Sequence, residues 1–254
     1  MNKIFLKSHK QNMFLSFFIC LFPRIIMALQ MIPLVEPRDE VSTMVGAAFF
    51  AGMDWSNVIS TGGAYYGLGY TALFAPILAL TESPTILYKS ILVFSSSLFS
   101  LIAPLSYYLF YTYFGITNKK YLIVSSIACS YMIAGTVGPV AMNEAMLVLI
   151  VWLIVWSLLK ILNSDSFRDM IKWTGVIVLL VTYAQTIHTR AIVLYIAAIC
   201  LLFLKGVTDR KRETISYIIL TLGLLVFGYY IAKSFNEYCQ NAIWNVSDNS
   251  NLTN

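Results

Sequence analysis

Apolar residues in this sequence come in runs about as long as a bilayer is thick, and that feature decides what the chain can fold into. A helix needs roughly 20 predominantly apolar residues to cross a hydrocarbon core of ~30 Å. Inside that core every backbone N–H and C=O must be satisfied within the segment, which favours helices. Such runs occupy 13–35, 85–114, 121–138, 144–160, 172–205 and 214–233. Of the 254 residues, 59% are hydrophobic and only 11% charged, whereas a soluble domain carries about 25% charge to wet its surface. The fold class read from this is all-α, a polytopic transmembrane helical bundle, with 1–254 forming a single transmembrane domain.

Loop charges set the path. Lys3, Lys7 and Lys10 precede the first run, which is longer than the 7–15-residue core of a signal peptide and lacks an A-x-A cleavage pattern. It reads as an uncleaved first span with a cytoplasmic N-terminus. Arg24 and Gln30 within it are expected to face other helices. Residues 36–84 then form a large outer loop, 85–114 returns with Pro104 inside it, 115–120 turns in the cytoplasm, and 121–138 goes out. A tight outer turn at 138–143 leads into 144–160, followed by a cytoplasmic loop at 161–171. As one helix, 172–205 would run about 50 Å, and Gln185-Thr-Ile-His188-Thr-Arg190 interrupts it, so it reads as two spans joined by a polar hinge at the outer face. Residues 206–213 are inside, 214–233 go out, and 234–254 form an external tail.

The expectation is about seven spans in the cell membrane, N-terminus inside and C-terminus outside. On that path Lys3, Lys7, Lys10, Lys119, Lys120, Lys160, Arg168, Lys172, Lys205, Arg210, Lys211 and Arg212, twelve of the 17 basic residues, are cytoplasmic. Glu36, Asp39, Glu40, Asp54, Glu82, Glu144, Glu237 and Asp248, eight of the 12 acids, are external. This is the positive-inside pattern. The net charge of +5 has no basic stripe with interleaved aromatics, so membrane lipids, and not nucleic acid, are the expected surroundings. Cys20, Cys129 and Cys200 fall in apolar runs and read as small buried hydrophobes. No CxxC or His/Cys cluster supports zinc, and no phosphate loop, HExxH, GxSxG or dinucleotide fingerprint appears.

Within the outer loop, Asp39 to Gly52 reads as a short helix after Pro37, and Gly69–Leu80 is apolar but too short to span, hence re-entrant or interfacial. Glu36-Pro-Arg-Asp39-Glu40 places carboxylates beside the membrane, where one could act as a general base or hold a divalent cation. Asp39 and Glu40 equally suit the first turn of the following helix. His188 and Arg190 could grip a phosphate, or Arg190 could snorkel to lipid headgroups. Glu144 lies at the outer start of a span, where helix termini favour acids. Lys89 could meet a phosphate or snorkel, and Tyr66, in the patch Tyr65–Tyr70, could stack on a sugar or belong to an aromatic belt.

The acidic pair after the first span, the structured first outer loop and the His/Arg hinge together resemble the GT-C superfamily of polyprenyl-phosphate-sugar glycosyltransferases. Tyr66-Gly-Leu-Gly-Tyr-Thr-Ala-Leu-Phe-Ala-Pro76, Ser83-Pro-Thr-Ile-Leu-Tyr-Lys89 and Ala184-Gln-Thr-Ile-His188-Thr-Arg190 carry the rest of the likeness. The resemblance implies transfer of a sugar from a polyprenyl phosphate to a cell-envelope acceptor at the outer face. Asp39 would be the base with Glu40 beside it, and His188, Arg190, Glu144, Lys89 and Tyr66 would be substrate contacts by location. Some relatives need a divalent cation and others do not, so no cofactor is assigned. Family members are longer, so the chain is expected to match their N-terminal membrane portion. A truncated, inactive product is one alternative; a flippase for lipid-linked oligosaccharide, or another membrane transporter, is the other.

Overall fold

A computed structural model of the chain describes residues 8–31, 37–55, 67–134, 143–164, 166–209 and 212–251, with side chains described for these apart from 37–39, 133–134, 206–209, 212–215 and 244–251. The described residues are helical, with no β-strand among them. The helices are α1 (His9–Gln30), α2 (Pro37–Phe50), α3 (Ala75–Thr81), α4 (Pro84–Tyr113), α5 (Lys119–Ala134), α6 (Glu144–Leu162), α7 (Phe167–Ile187), α8 (Ile192–Asp209) and α9 (Arg212–Asn251). Short 3-10 turns, Thr71–Phe74 and Thr189–Ala191, precede α3 and α8. Among the described residues, five segments are long and apolar enough to cross a membrane: His9–Gln30, Pro84–Tyr113, Glu144–Leu162, Phe167–Ile187 and Ser216–Ile243.

The local signals for these helices are conventional. Ser8 and Gln11 exchange capping-box hydrogen bonds at the start of α1, satisfying two of the N–H groups that a helix start leaves bare. Ser83 accepts from the Ile86 N–H, and Pro84 occupies the first turn of α4, where its missing N–H costs nothing. Gly115, at φ +66°, follows the end of α4 in the left-handed conformation that glycine adopts without strain.

Side-chain bonds fix how the helices run. His9 meets Tyr107, Arg24 meets Ser100, and Lys89 meets the carbonyls of Ala28 and Leu29, so α1 and α4 are antiparallel. Ser130 bonds to the Phe99 carbonyl while Leu122 and Ile123 cluster with Tyr107, so α5 reverses α4. Tyr108 packs on Trp156 and Trp156 on Trp173, aligning α6 with α4 and setting α7 against α6. Thr174 bonds to Tyr217 and Asn236 to the Gln185 carbonyl, so α7 and α9 are parallel. Tyr195 reaches Thr182 and Tyr229, placing α8 between them in the reverse sense.

The stretch 172–205 is thus not one rod. It breaks at His188, whose φ of −153° and ψ of 130° are extended, and α8 runs back. The short helix expected from Asp39 begins at Pro37. The segment 69–80 is folded into the bundle, with Tyr70, Phe74 and Leu78 buried in the core.

Three expectations change. Gln30 is exposed, because it is the last residue of α1 and the bundle no longer covers it. Cys200 is exposed on α8, since an apolar run facing lipid need not be covered by protein. The tail after 233 continues α9 as helix to Asn251. Lys233 pairs with Glu237 one turn on, Phe235 stacks on Phe50, and Asn236 bonds to α7.

Candidate functional site at the acid-rich end

The alternating helices gather most of the described acids at one end. Glu40, Glu82, Glu144 and Glu237 lie there, with Lys10, Lys119, Lys120, Lys160, Arg168 and Lys172 at the other. The acid-rich end is organised around the C-terminus of α7. A helix end leaves four carbonyls without intrahelical donors, and here each finds one. The Ala184 carbonyl accepts from His188 N–H at 3.0 Å, and that of Gln185 from the Asn236 side chain at 2.8 Å. The Thr186 carbonyl accepts from Gly69 N–H at 3.0 Å. The Ile187 carbonyl accepts from Gly67 N–H at 2.9 Å and from the Asn143 side chain at 3.0 Å.

Glycine is required at both contacts with the 67–70 segment. A Cβ on Gly67 would sit 1.9 Å from the Thr186 carbonyl oxygen, and one on Gly69 would sit 2.1 Å from the Thr186 hydroxyl. The segment continues into the core, where the Tyr70 hydroxyl bonds Ser95 at 2.8 Å. Burial pushes the Tyr70 phenol well above its ordinary range, with the Ser95 bond opposing it and the nearby Tyr183 and Glu144 adding to it. Helix α2 packs on the same segment: Gly46 lies against Thr71 and Leu68. The acidic helix, the first-loop segment and the hinge are therefore joined in series.

Within this frame the sequence candidates separate. His188 is buried, and its Nδ1 accepts from the Arg190 backbone N–H at 3.1 Å, capping the 3-10 turn. That leaves Nε2 to carry the proton of the neutral ring. Arg190 projects from the turn, exposed, and its guanidinium makes no hydrogen bond or ion pair with the described residues. Glu40 is fully buried and accepts a bond from the Tyr88 hydroxyl at 3.3 Å. Glu144 occupies the first turn of α6, half-buried, beside the Asn143 that ties α6 to α7. Lys89 Nζ donates to the carbonyls of Ala28 at 3.2 Å, Leu29 at 3.0 Å and Met31, closing the end of α1. The Asp39 side chain and Tyr66 lie outside the described residues, although the backbone of Asp39 belongs to α2.

Beside Lys89 opens a groove of about 660 Å³, walled by Leu29, Leu73, Phe74, Ile77, Ile86 and Phe94. Its exposed lining is mainly apolar, with Thr85, Ser90 and Ser97 beside Lys89, so it suits a hydrocarbon chain. No group of three or more His, Cys, Asp or Glu among the described residues could hold a metal ion.

Sequence reasoning passed over Asn143 and Asn236 as partners of the hinge, because neither carries a local signal pointing to residues some 44 and 51 positions away. Arg24 was expected to face other helices, and it does. It is buried, with Nη1 donating to Ser100 Oγ at 3.2 Å and Ser130 Oγ at 2.8 Å, Nη2 donating to the Ser130 carbonyl at 2.9 Å, and the Tyr131 ring 4.2 Å from Cζ.

Comparison with known proteins gave no matching family model, no similar curated protein and no similar solved structure.

Proposed function

We propose that the chain crosses a bilayer seven times, with α1, α4, α5, α6, α7, α8 and α9 as the crossings, and transfers a sugar from a polyprenyl phosphate at its acid-rich, outer face. Alternating helix direction and the separation of acids from lysines support the topology. Helices α5 and α8 have 16 and 18 residues, near the short end of the 17–25 that span a bilayer.

The observation that carries the catalytic reading is Arg190: a guanidinium without partners among the described residues, held at the end of the bundle that is tied to the acidic helix α2. A permanently charged fork suits a phosphate leaving group, and the apolar groove beside Lys89 supplies a place for the carrier's tail. In this reading Asp39 takes the proton of the acceptor hydroxyl. The hydroxyl oxygen attacks the anomeric carbon from the face opposite the phosphate. The anomeric C–O bond then breaks, and its electron pair leaves on the lipid phosphate, whose charge Arg190 stabilises. Glu40 supports Asp39 from its buried position, while His188 and Lys89 serve the reaction by shaping the hinge and the end of α1. The acceptor is a cell-envelope glycan hydroxyl.

The test is transfer from a labelled polyprenyl-phosphate sugar in membranes carrying the protein. Loss of a general base is expected to lower the rate of Asp39→Asn by a factor of about 10²–10⁴. Unchanged transfer by that variant removes Asp39 from the mechanism. Absence of transfer by the unmodified chain, across a panel of lipid-linked sugars, overturns the reading. A transporter would place its polar contacts deep in the bundle. Arg24 is such a residue, but Ser100 and Ser130 already hold it as a brace between α1, α4 and α5.

A further inference from the structure

At the opposite, lysine-rich end, α4, α6 and α7 close around an aromatic box that the proposed reaction does not use. Two ammonium groups approach one indole: Lys160 Nζ lies 6.0 Å and Lys172 Nζ 5.4 Å from the Trp173 ring centroid. Trp156 packs on Trp173 at 5.2 Å, and Tyr108 packs on Trp156 at 6.0 Å. Tyr108 and Tyr113 of α4 lie near the Lys160 ammonium.

Among the described residues, most polar groups here offer hydrogens. Beside the two ammonium groups and two phenols, the indole N–H of Trp156 is buried and finds no acceptor among the described residues, and Ser166 caps the start of α7 without a side-chain bond. Arg168 adds a third cation in the first turn of α7. Asp169 is the acid of that turn; it is exposed and makes no ion pair with Lys160, Arg168 or Lys172. The end of α6 favours Lys160 through its dipole, whereas Lys172, the sixth residue of α7, gains no such support. Two like charges against one ring repel unless an anion sits with them.

We propose that this box between α4, α6 and α7 binds the phosphate of an anionic phospholipid in the leaflet at the lysine-rich end. Its position fits. Basic pockets between membrane-crossing helices recognise such headgroups, and indole and phenol rings favour the interface. Exposed apolar side chains on the same helices, among them Val155 and Leu179, give acyl chains a surface to lie along. The proposal rests on the membrane crossing alone and is independent of any transferase activity.

The test is thermal unfolding of the full chain, delipidated in neutral detergent, titrated with phosphatidylglycerol, phosphatidylcholine or inorganic phosphate. Phosphatidylglycerol is expected to raise the midpoint, and the other two are not. Lys160→Gln and Lys172→Gln are each expected to raise the half-saturating concentration about fivefold, the factor that one basic residue near the surface contributes. The pair together abolishes the effect, Lys172→Arg retains it, and Lys233→Gln at the other end leaves it unchanged. Equal stabilisation by phosphatidylcholine overturns the proposal. So does an undiminished response in the double variant, and so does inorganic phosphate reproducing the shift, which marks a free-anion site. Lys172 is exposed, so its single replacement keeps the fold. Undiminished phosphatidylglycerol retention by Lys172→Gln in native mass spectrometry overturns the proposal by itself.

Discussion

Asn236 of α9 donates a side-chain N–H to the backbone carbonyl of Gln185 at 2.8 Å, tying the last long helix to the end of α7. Both residues are buried, so water cannot take the place of either partner. Replacing Asn236 by Ala leaves the Gln185 carbonyl without a donor, which costs about 1–3 kcal/mol. The expected loss lies toward the low end, because the substitution also removes Asn236 Oδ1, a buried oxygen with no partner of its own. Thermal unfolding in detergent checks this, and an unchanged midpoint refutes it.

A steeper penalty is expected at Gly67. The Cβ of Gly67→Ala falls 1.9 Å from a backbone carbonyl oxygen, and backbone cannot turn aside as a side chain can. The expected cost is about 3 kcal/mol or more, at or above the top of the usual range for overpacking. Gly228→Ala meets the Thr182 hydroxyl at 2.2 Å, and a rotation of Thr182 relieves much of that, leaving a cost of about 1–2 kcal/mol. Gly175, in α7, has nothing within 4 Å of its would-be Cβ, so Gly175→Ala is expected to stabilise by roughly 0.5–1 kcal/mol through helix propensity. Any other order of the three midpoints contradicts the account.

The parts of the fold legible in the sequence are those with local causes. The break at His188 is legible because six largely polar residues interrupt an apolar run too long for one crossing. The start of α2 is legible because Pro37 precedes two acids suited to a helix's first turn. Distant partners leave no such mark. Asn236 lies where hydropathy falls off and reads as tail, yet an internal carbonyl 51 residues away needs it. Gly67 and Gly69 read as an interfacial patch, and only the approach of Thr186 shows why a side chain is barred. Lys89 and His188 bear charge or lone pairs that suit a ligand, but whether those groups are already used by carbonyls and N–H groups is a property of the packed chain. In the candidate site, Glu40, Glu144, His188 and Arg190 share one end of the bundle, and sequence could not say which of their side chains packing had already engaged.

Arg24 gives a less obvious prediction. No carboxylate among the described residues pairs with it, so its charge relies on Ser100, Ser130 and the Tyr131 face. Replacing a buried charge by an apolar side chain of similar volume is often neutral or stabilising, whereas removing a partner leaves the charge uncompensated. Both serines keep other acceptors, the Ser96 and Phe99 carbonyls. Arg24→Met is therefore expected to change stability by less than about 1.5 kcal/mol, and Ser130→Ala to cost about 1.5–3 kcal/mol, as for a bond to a charged group. The reverse order would show that Arg24 stabilises through its charge.

Arg190 separates folding from chemistry. Its side chain is exposed and without partners among the described residues, so Arg190→Ala is expected to hold its unfolding midpoint within the ±0.5 kcal/mol or so of an ordinary surface change. If the guanidinium steadies a departing phosphate, the same variant loses transfer from a polyprenyl-phosphate sugar. Loss of one charged donor at such a site costs about 10²–10³ in rate. Arg190→Lys keeps the charge but not the two-pronged geometry and is expected to fall between the two. The split between kcat and KM locates the effect: an interaction made only as the phosphate leaves lowers kcat with KM unchanged. A rise in KM alone would reduce Arg190 to a docking contact, and full activity in Arg190→Ala would remove it from the site.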